Sequence, residues 1–318
     1  MPRKFLVVCL NPAIQKTLVF DGLELDRVNR AKRLRTDASG KGVNVARVLS
    51  QLGAEVLHLT HAGGPDRDWF LSLCAADGLD VKWVDSGSEV RFCSTVIDAG
   101  AKTATELVEE ALPVRAGTEE RLLGLFDELV GSADVLIISG TRAAGYSDSV
   151  IPEMASRAAA KGAMVVLDIK GRDLVACLPF RPTVVKPNLD EFLATFPAPV
   201  GGGGAGGSGG TDRADLDGSH AQAPRSHVHA YAKAWKESYG TDLVVTRGKA
   251  PIWFSEDGLA AEEPARPAES INPTGSGDAF TAGLAYVLAA GGDLREAIRE
   301  GARLGALNAE RLKPGSIA

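Results

Sequence analysis

The sequence predicts an α/β fold with three layers, in which helices cover both faces of a mostly parallel sheet and a small β-lid is attached. The first observation behind it is that short apolar segments alternate with helical segments of about 10–15 residues, which is typical of βαβ units. The second is that residues 12–38 and 81–112 alternate apolar and polar residues instead, as half-exposed strands do. The third is a segment at about 198–226 that breaks both patterns.

The predicted body begins with an apolar first strand at 5–10. Right-handed crossovers between parallel strands then place the helices on both sides of the sheet. Strands are predicted at 56–60, 135–139, 164–169, 183–186 and 243–246, and helices at 43–52, 69–76, 122–130, 150–160, 279–290 and 294–312. These elements predict a single domain that spans residues 1–318.

The two alternating segments, 12–38 and 81–112, predict antiparallel lid strands inserted between the elements of the body. Residues 198–226 contain two glycine runs followed by a polar stretch. Such a composition buries too little apolar surface to offset the entropy of ordering, so this segment is predicted to be a flexible surface loop.

Composition limits the classes of partner. The chain carries 41 acidic and 35 basic residues, a net charge of −6, which argues against nucleic acid as the main partner. The first apolar run is too short for a signal peptide, and no run is long enough to span a membrane. The four cysteines lie far apart without a CxxC pair, so neither zinc nor disulfides are predicted. We therefore expect a cytoplasmic protein with no nucleic-acid or membrane partner.

The sharpest motif runs from Asn272 to Phe280 and leads straight into an apolar helix. Gly275 and Gly277 let backbone N–H groups turn toward one point, and the helix dipole adds positive potential there. Asp278 stands beside this anion site, as a base must if it takes a hydroxyl proton while a phosphoryl group is held. The alternative is that Asp278 only caps the helix.

A second motif follows an apolar strand, where Asn188 and Glu191 stand three residues apart at a predicted helix start. An amide and a carboxylate at this spacing suit a network of Mg²⁺, water and phosphate. The alternative is a capping pair, with Asn188 at the N-cap and Glu191 at N3.

A third feature is a cluster of basic residues between Arg27 and Arg47, in which Asp37 is the only acid. This local reversal of charge in an acidic protein suggests an anionic ligand, although a solvated strand face would give the same composition. Within the cluster, Gly40, Lys41 and Asn44 open a helix together.

These motifs occur in the order found in the PfkB carbohydrate kinases, and the chain resembles the subgroup of 1-phosphofructokinase and tagatose-6-phosphate kinase. The resemblance covers nearly the whole chain except the glycine-rich segment. The matching motifs are Asn11-Pro12-Ala13, Val28-Asn29-Arg30, residues 39–49, Ser139-Gly140-Thr141, Lys186-Pro187-Asn188 with Glu191, Thr246-Arg247-Gly248 and Gly275–Asp278.

The resemblance implies a ribokinase-like body whose β-lid forms a homodimer interface, and an ATP- and Mg²⁺-dependent kinase. It implies that Asp278 is the base and that Gly275, Ser276 and Gly277 form the anion hole. The residues implied at the nucleotide and Mg²⁺ are Lys186, Asn188, Glu191, Thr246, Gly248 and Asn308, with Glu191 organising the metal. The residues implied at the sugar are Gln15, Arg30, Gly40, Lys41, Asn44, Arg91 and Ser139.

Four positions depart from the pattern of the subgroup, and all lie on the sugar side. They are Gln15 in place of an aspartate, Cys93 and Val108 in place of asparagines, and Arg142 in the segment that follows Ser139. Since paired arginines suit a phosphate dianion, Arg30 and Arg91 favour a phosphorylated ketohexose as acceptor. An unphosphorylated sugar or a nucleoside is the alternative acceptor, and a nucleotide- or metabolite-sensing protein without turnover is the alternative class.

Overall fold

The computed structural model describes residues 3–197, 222–256 and 258–318. The strands are β1 (Lys4–Cys9), β2 (Ala13–Phe20), β3 (Arg33–Ser39), β4 (Glu55–Ala62), β5 (Asp80–Asp85), β6 (Arg91–Asp98), β7 (Thr103–Val108), β8 (Val135–Ser139), β9 (Met164–Asp168), β10 (Val184–Val185), β11 (Asp242–Arg247), β12 (Ala250–Glu256) and β13 (Leu259–Glu263). The helices are α1 (Lys41–Gln51), α2 (Arg67–Ala76), α3 (Thr118–Val130), α4 (Val150–Ala160), α5 (Gly171–Cys177), α6 (Leu189–Thr195), α7 (Gln222–Tyr239), α8 (Ser276–Ala289) and α9 (Leu294–Ala309).

A nine-stranded sheet forms the centre of the body, in the order β13-β12-β11-β10-β9-β8-β1-β4-β5. The strands from β11 to β5 run parallel, and β12 and β13 extend the sheet antiparallel at one edge. The carboxyl ends of the parallel strands therefore meet at one edge of the sheet, where ligands of open α/β folds bind.

The two faces of this sheet carry separate hydrophobic cores, because side chains alternate along each strand. On β1, Leu6 and Val8 belong to the core beneath α3, α4, α5, α6 and α7. Phe5 and Val7 belong to the core beneath α1, α2, α8 and α9. The three-layer architecture predicted from the sequence is confirmed.

The β-lid is a second sheet, in the order β3-β2-β6-β7. Its pairing differs from the prediction of antiparallel strands alone, because β2 and β6 run parallel in register from Ala13–Arg91 to Phe20–Asp98. The predicted lid segment 81–112 was also too long at its start. Its first residues belong to β5, which pairs with β4 in the main sheet.

The glycine-rich loop predicted at 198–226 lies largely outside the described residues. The part that is described, 222–226, is helical and forms the start of α7, so the predicted loop extended too far. All four cysteines are buried and free. Across the described ranges, none of the helices has the length and hydropathy that a membrane span requires.

Candidate functional site

The start of α8 carries the motif that the sequence singled out. Gly275 precedes the helix with φ +84°, and a Cβ there would lie 2.3 Å from the backbone nitrogen of Gly315, so only glycine fits. The Ser276 N–H donates to the carbonyl of Pro273. Within the described chain, the N–H groups of Gly277 and Asp278 donate to no acceptor, which leaves two donors for an anion at this helix end.

Asp278 does not cap α8, because it is the third residue of the helix and Gly275 occupies the N-cap. Its side chain is 5% exposed, and its Oδ2 accepts a 2.7 Å hydrogen bond from Asn44 Nδ2. Burial and the negative charge of Asp168 raise the pKa of Asp278 to about 6, against the opposing effects of Lys41, the Asn44 bond and Lys186. The carboxylate is thus a base that is ionised at neutral pH.

Asp168, at the end of β9, is a site residue that the sequence reasoning missed. Its carboxylate lies 3.5 Å from Lys41 Nζ and 3.4 Å from Lys186 Nζ, and it accepts a 3.0 Å hydrogen bond from the Thr281 hydroxyl. Burial alone would raise the pKa of Asp168, but the two ammonium groups and the hydroxyl hold it below its usual value. The available signal was an acid that ends a buried strand of the predicted parallel sheet.

Asn188 and Glu191 form a complete capping box at α6, so the structural alternative that the sequence left open is realised. The Glu191 backbone N–H donates to Asn188 Oδ1, and the Asn188 N–H donates to Glu191 Oε2. Glu191 Oε1 lies 3.1 Å from Lys41 Nζ. Burial lowers the pKa of Lys41, but the charges of Asp168, Glu191 and Asp278 outweigh it and the net pKa is raised. The capping box therefore fixes a carboxylate that also faces the site.

A cleft of about 970 Å³ lies beside the start of α8 and α6. Its lining includes Asn188, Thr246, Gly248, Ser276 and Gly277. Thr246 lies next to Asn188 because the two residues form a parallel β-bridge. The cleft brings together three of the predicted nucleotide residues, Asn188, Thr246 and Gly248, whereas Lys186 and Glu191 are not in its lining. Its volume suits a nucleotide-sized ligand.

Asn308 was predicted to lie at the nucleotide, but the structure does not place it in the lining of the cleft. It is fully buried. Its amide donates to the carbonyl of Thr274 and to the Ser276 hydroxyl, and its oxygen accepts from the Ser316 N–H. Asn308 thus holds the loop before α8 from behind.

A smaller pocket of about 140 Å³ lies where the lid meets the body. Lys41, Asp168 and Glu191 form one side of it. Arg91 lies on the lid side, where its guanidinium donates to the carbonyls of Glu109 and Asn11. This pocket and the larger cleft both lie at the carboxyl edge of the parallel strands. Glu191 lines the small pocket, and Asn188 and Asp190 from the same segment line the larger cleft.

The remaining predicted sugar residues lie in different surroundings. Gly40 has φ +112°, and a Cβ there would lie 2.9 Å from Cys9 Sγ, so the residue is needed for the close approach of α1 to β1. Ser139 is buried and its hydroxyl donates to Asp168, which corrects its predicted contact with the sugar. Arg30 is exposed in the segment between β2 and β3 and does not line the small pocket. Gln15 is buried in the lid.

Two of the four departures from the subgroup pattern are explained by contacts. Arg142 ties its segment to α5 through Asp173, at 3.2 Å, and also pairs with Asp148 and the carbonyl of Tyr146. Gln15 Nε2 donates to Thr95 Oγ1 at 3.0 Å. Nothing in the structure explains Cys93 or Val108.

The donor set also bears on Mg²⁺. No cluster of three or more His, Cys, Asp or Glu side chains occurs within the described ranges. Asp168 and Glu191 nevertheless share one cation, the Lys41 ammonium, between their carboxylates. Mg²⁺ in kinases is held by one or two carboxylates together with substrate phosphates, so this pair fits the ion.

Taken together, the site offers a buried carboxylate that is ionised at neutral pH, two free helix N–H groups and two lysines. Of these groups, Gly277 lines the nucleotide-sized cleft and Lys41 lines the small polar pocket. A base next to donors for an anion is what phosphoryl transfer to a hydroxyl requires.

Comparison with known structures identifies other proteins with this fold. Phosphofructokinase-2 from Escherichia coli in complex with fructose-6-phosphate superposes with a TM-score of 0.80 at 20% identity, covering 99% of this chain and 96% of that chain. The tetrameric inhibited form of the same enzyme gives a TM-score of 0.78 at 20% identity over 97% and 94% of the two chains. A possible 1-phosphofructokinase from Thermotoga maritima gives 0.81 at 20% identity over 98% and 93%.

These structures share the fold, at identities too low to transfer a substrate. The pfkB family carbohydrate kinase profile matches residues 7–317, nearly the whole chain. The chain therefore belongs to the pfkB family of carbohydrate kinases, and it is a sugar kinase, an ATP-dependent phosphotransferase.

Proposed function

We propose that this kinase transfers the γ-phosphate of ATP to a hydroxyl of a phosphorylated ketohexose, as 1-phosphofructokinase and tagatose-6-phosphate kinase do. The observation that carries the proposal is Asp278, a buried carboxylate that Asn44 holds at 2.7 Å beside two free N–H groups. Its neighbour Gly277 lines the larger cleft, and Lys41, whose charge acts on the Asp278 carboxylate, lines the small polar pocket.

In the proposed reaction, ATP occupies the cleft and directs its γ-phosphate at the start of α8. Asp278 accepts the proton of the attacking hydroxyl. The N–H groups of Gly277 and Asp278 and the helix dipole stabilise the charge on the transferring phosphoryl group. Lys186 Nζ, buried between Asp168 and the ring of Phe280, adds a fixed positive charge near Gly277.

Asp168 and Glu191 are the residues that would hold Mg²⁺. When bound, the ion neutralises charge on the ATP phosphates. Lys41 lies against both carboxylates, and the ammonium groups of Lys186 and Lys41 hold the pKa of Asp168 below its usual value in spite of its burial. Asn188 contributes by capping α6, which fixes the position of the Glu191 side chain.

Two basic residues support an anionic acceptor. Lys41 on α1 and Arg91 on the lid strand β6 both line the small pocket. A phosphate on the acceptor gains charge-assisted hydrogen bonds from such groups, whereas a neutral sugar does not. Escherichia coli phosphofructokinase-2, which has the same fold, has been crystallised with fructose-6-phosphate. Arg30 is the second arginine proposed for this phosphate.

The lid supports a homodimer. Several of its apolar side chains are exposed, and such a patch typically marks an interface. They are Leu25, Val28, Leu34, Leu107 and Val108. Escherichia coli phosphofructokinase-2 has been crystallised as a tetramer. Sedimentation of the native chain beside a Leu34→Glu, Leu107→Glu variant tests whether this face associates.

The function is tested by coupled ADP-release assays with ATP and Mg²⁺ against ketohexose phosphates, free sugars and nucleosides. Turnover on a ketohexose phosphate, with at least tenfold lower kcat/KM on the free sugar, is expected. Preference for a free sugar or nucleoside would overturn the acceptor class. ATP binding without turnover on any member of the panel would favour a sensing protein.

Replacing Glu191 by Gln is expected to raise the KM for Mg²⁺·ATP about tenfold or more, because a charge that faces the metal is lost. Helix α6 should persist, since Gln also serves at N3 of a capping box. Glu296→Gln is the matched control, because Asp293 and Glu296 form an equivalent capping box at α9. Equal kinetic effects of the two variants, measured with ATP as the varied substrate, would contradict the role of Glu191.

A further inference from the structure

A chain of side-chain contacts runs from the lid to the loop before α8. Gln15 Nε2 on β2 donates to Thr95 Oγ1 on β6 at 3.0 Å. Thr95 Oγ1 in turn lies 3.4 Å from the hydroxyl oxygen of Thr274. Thr274 immediately precedes Gly275, where the anion site begins. Among the described residues, the Thr95 hydroxyl thus connects the lid strands β2 and β6 to the loop that precedes the proposed phosphoryl site.

The direction of the first hydrogen bond follows from the chemistry of the groups, whereas either hydroxyl can donate in the second. Gln15 Nε2 also lies 3.5 Å from the carbonyl of Lys16, which can only accept, so the amide nitrogen must be on that side. Because Thr95 Oγ1 accepts from Gln15, its own hydrogen is available for Thr274. Among the described residues, none donates to Gln15 Oε1.

The loop that receives this contact is held from its other side as well. The Thr274 N–H donates to Asn272 Oδ1, and its carbonyl accepts from Asn308 Nδ2. Its backbone is therefore fixed by the body. Among the described residues, the Thr95 hydroxyl is the hydrogen-bonding contact that the lid makes with Thr274.

From this arrangement we infer that Thr95 is a positioning residue, whose hydroxyl orients the Gln15 amide and links the lid strands β2 and β6 to the Thr274–Gly277 loop. The inference rests on the proposed function for its effect on catalysis. The contact itself can be tested without turnover.

The lid supplies a matched control in Thr17. This residue pairs directly with Thr95 across β2 and β6, and both side chains are 0% exposed. The Thr17 hydroxyl, however, has no hydrogen-bond partner within the described ranges. Thr→Val at either position removes one buried hydroxyl with nearly the same volume, but only Thr95→Val removes the connection between lid and loop.

The experiment compares the full-length wild type with Thr95→Val, Thr95→Ser and Thr17→Val. With the acceptor identified by the panel, Thr95→Val is expected to lower kcat/KM for the acceptor about tenfold or more, mostly through KM, and to change the KM for ATP less than twofold. Thr95→Ser should recover to within threefold of wild type, and Thr17→Val should stay within twofold. Equal values of kcat/KM for the acceptor in Thr95→Val and Thr17→Val would overturn the inference. So would a Thr95→Ser variant as impaired as Thr95→Val.

Amide hydrogen exchange tests the same contact without ligands. Peptides that cover Thr274–Asp278 are expected to exchange at least threefold faster in Thr95→Val than in Thr17→Val. Indistinguishable exchange would overturn the connection even if no acceptor is phosphorylated. Faster exchange with no turnover on any acceptor would support the connection and contradict the proposed function alone.

Discussion

Asp278→Asn is expected to lower kcat by about 10³-fold or more, within or above the range that general-base catalysis contributes. Asn is nearly the same size, and its oxygen can still accept the 2.7 Å hydrogen bond from Asn44, so the surroundings should stay in place. ATP binding, measured by calorimetry, should remain within a few-fold of wild type. Wild-type turnover in this variant would contradict the assignment of Asp278 as the base.

The pH dependence of the same residue follows from its pKa of about 6. Catalysis needs the ionised carboxylate, so log kcat in the wild type should fall below about pH 6 and level off above it. This inflection should be missing from the residual activity of Asp278→Asn.

The free energy of unfolding should depend on pH in the opposite sense to kcat, falling as pH rises. A carboxyl whose folded-state pKa is raised from about 4 to about 6 binds its proton more tightly in the folded state. Its stabilising effect is complete below the unfolded pKa and is lost as pH rises through 6. At pH 8 the ionised side chain therefore costs the fold about 1–3 kcal/mol. Asp278→Asn should accordingly be more stable than wild type at pH 8, as a residue kept for catalysis rather than for folding would be.

The sequence predicted the body well because its signals were local. β8 and α4 have the predicted bounds, since a continuous apolar strand and an apolar helix face define both. The prediction that the second lid segment begins at residue 81 was wrong because it also rested on a local pattern. Strand β5 is only half-buried at the sheet edge, so its pattern resembles that of a lid strand.

The site was predicted only where a motif and a backbone conformation coincide. The loop at Gly275 is such a case, because its positive φ and close approach to Gly315 require glycine. Asp168 was missed because its importance depends on Lys41 and Lys186, which are distant in sequence. Ser139 and Asn308 were located correctly near the site but given the wrong contacts. A sequence pattern does not say whether a polar side chain faces a ligand or a buried neighbour.

Arg47→Met is expected to lower the free energy of unfolding by about 3–5 kcal/mol, the cost of removing one partner of a buried ion pair. Arg47 is 1% exposed. Its guanidinium donates to Asp77 at 2.7 Å, to Asn44 Oδ1 at 3.0 Å and to the carbonyl of Pro314 at 2.8 Å, and also to the carbonyl of Ala38. Met fills similar space but leaves these acceptors unpaired in the interior.

Urea unfolding checks this prediction, with Arg157→Met as control. Arg157 also pairs with two carboxylates, Asp127 and Glu153, both at 2.8 Å, but its side chain is 35% exposed. Solvent screens these two ion pairs, so Arg157→Met should lower the free energy of unfolding by about 1 kcal/mol or less. Equal costs for the two variants would contradict the role assigned to burial. Should Arg47→Met fail to fold, Asp77→Asn removes one charge from the same network and should still cost more than the control.

Arg47 also links stability to catalysis. Asn44 Oδ1 accepts from Arg47 and from the Ser39 hydroxyl, so its amide nitrogen must face Asp278. Without Arg47, only the long Ser39 hydrogen bond and the Asp278 carboxylate itself hold this orientation, so the amide is fixed less firmly against the base. The folded fraction of Arg47→Met should therefore show a lower kcat as well as lower stability, whereas Arg157→Met should leave kcat unchanged and lower the free energy of unfolding by about 1 kcal/mol or less. The same guanidinium that stabilises the buried junction of α1 with the C-terminal segment thereby orients the proposed base.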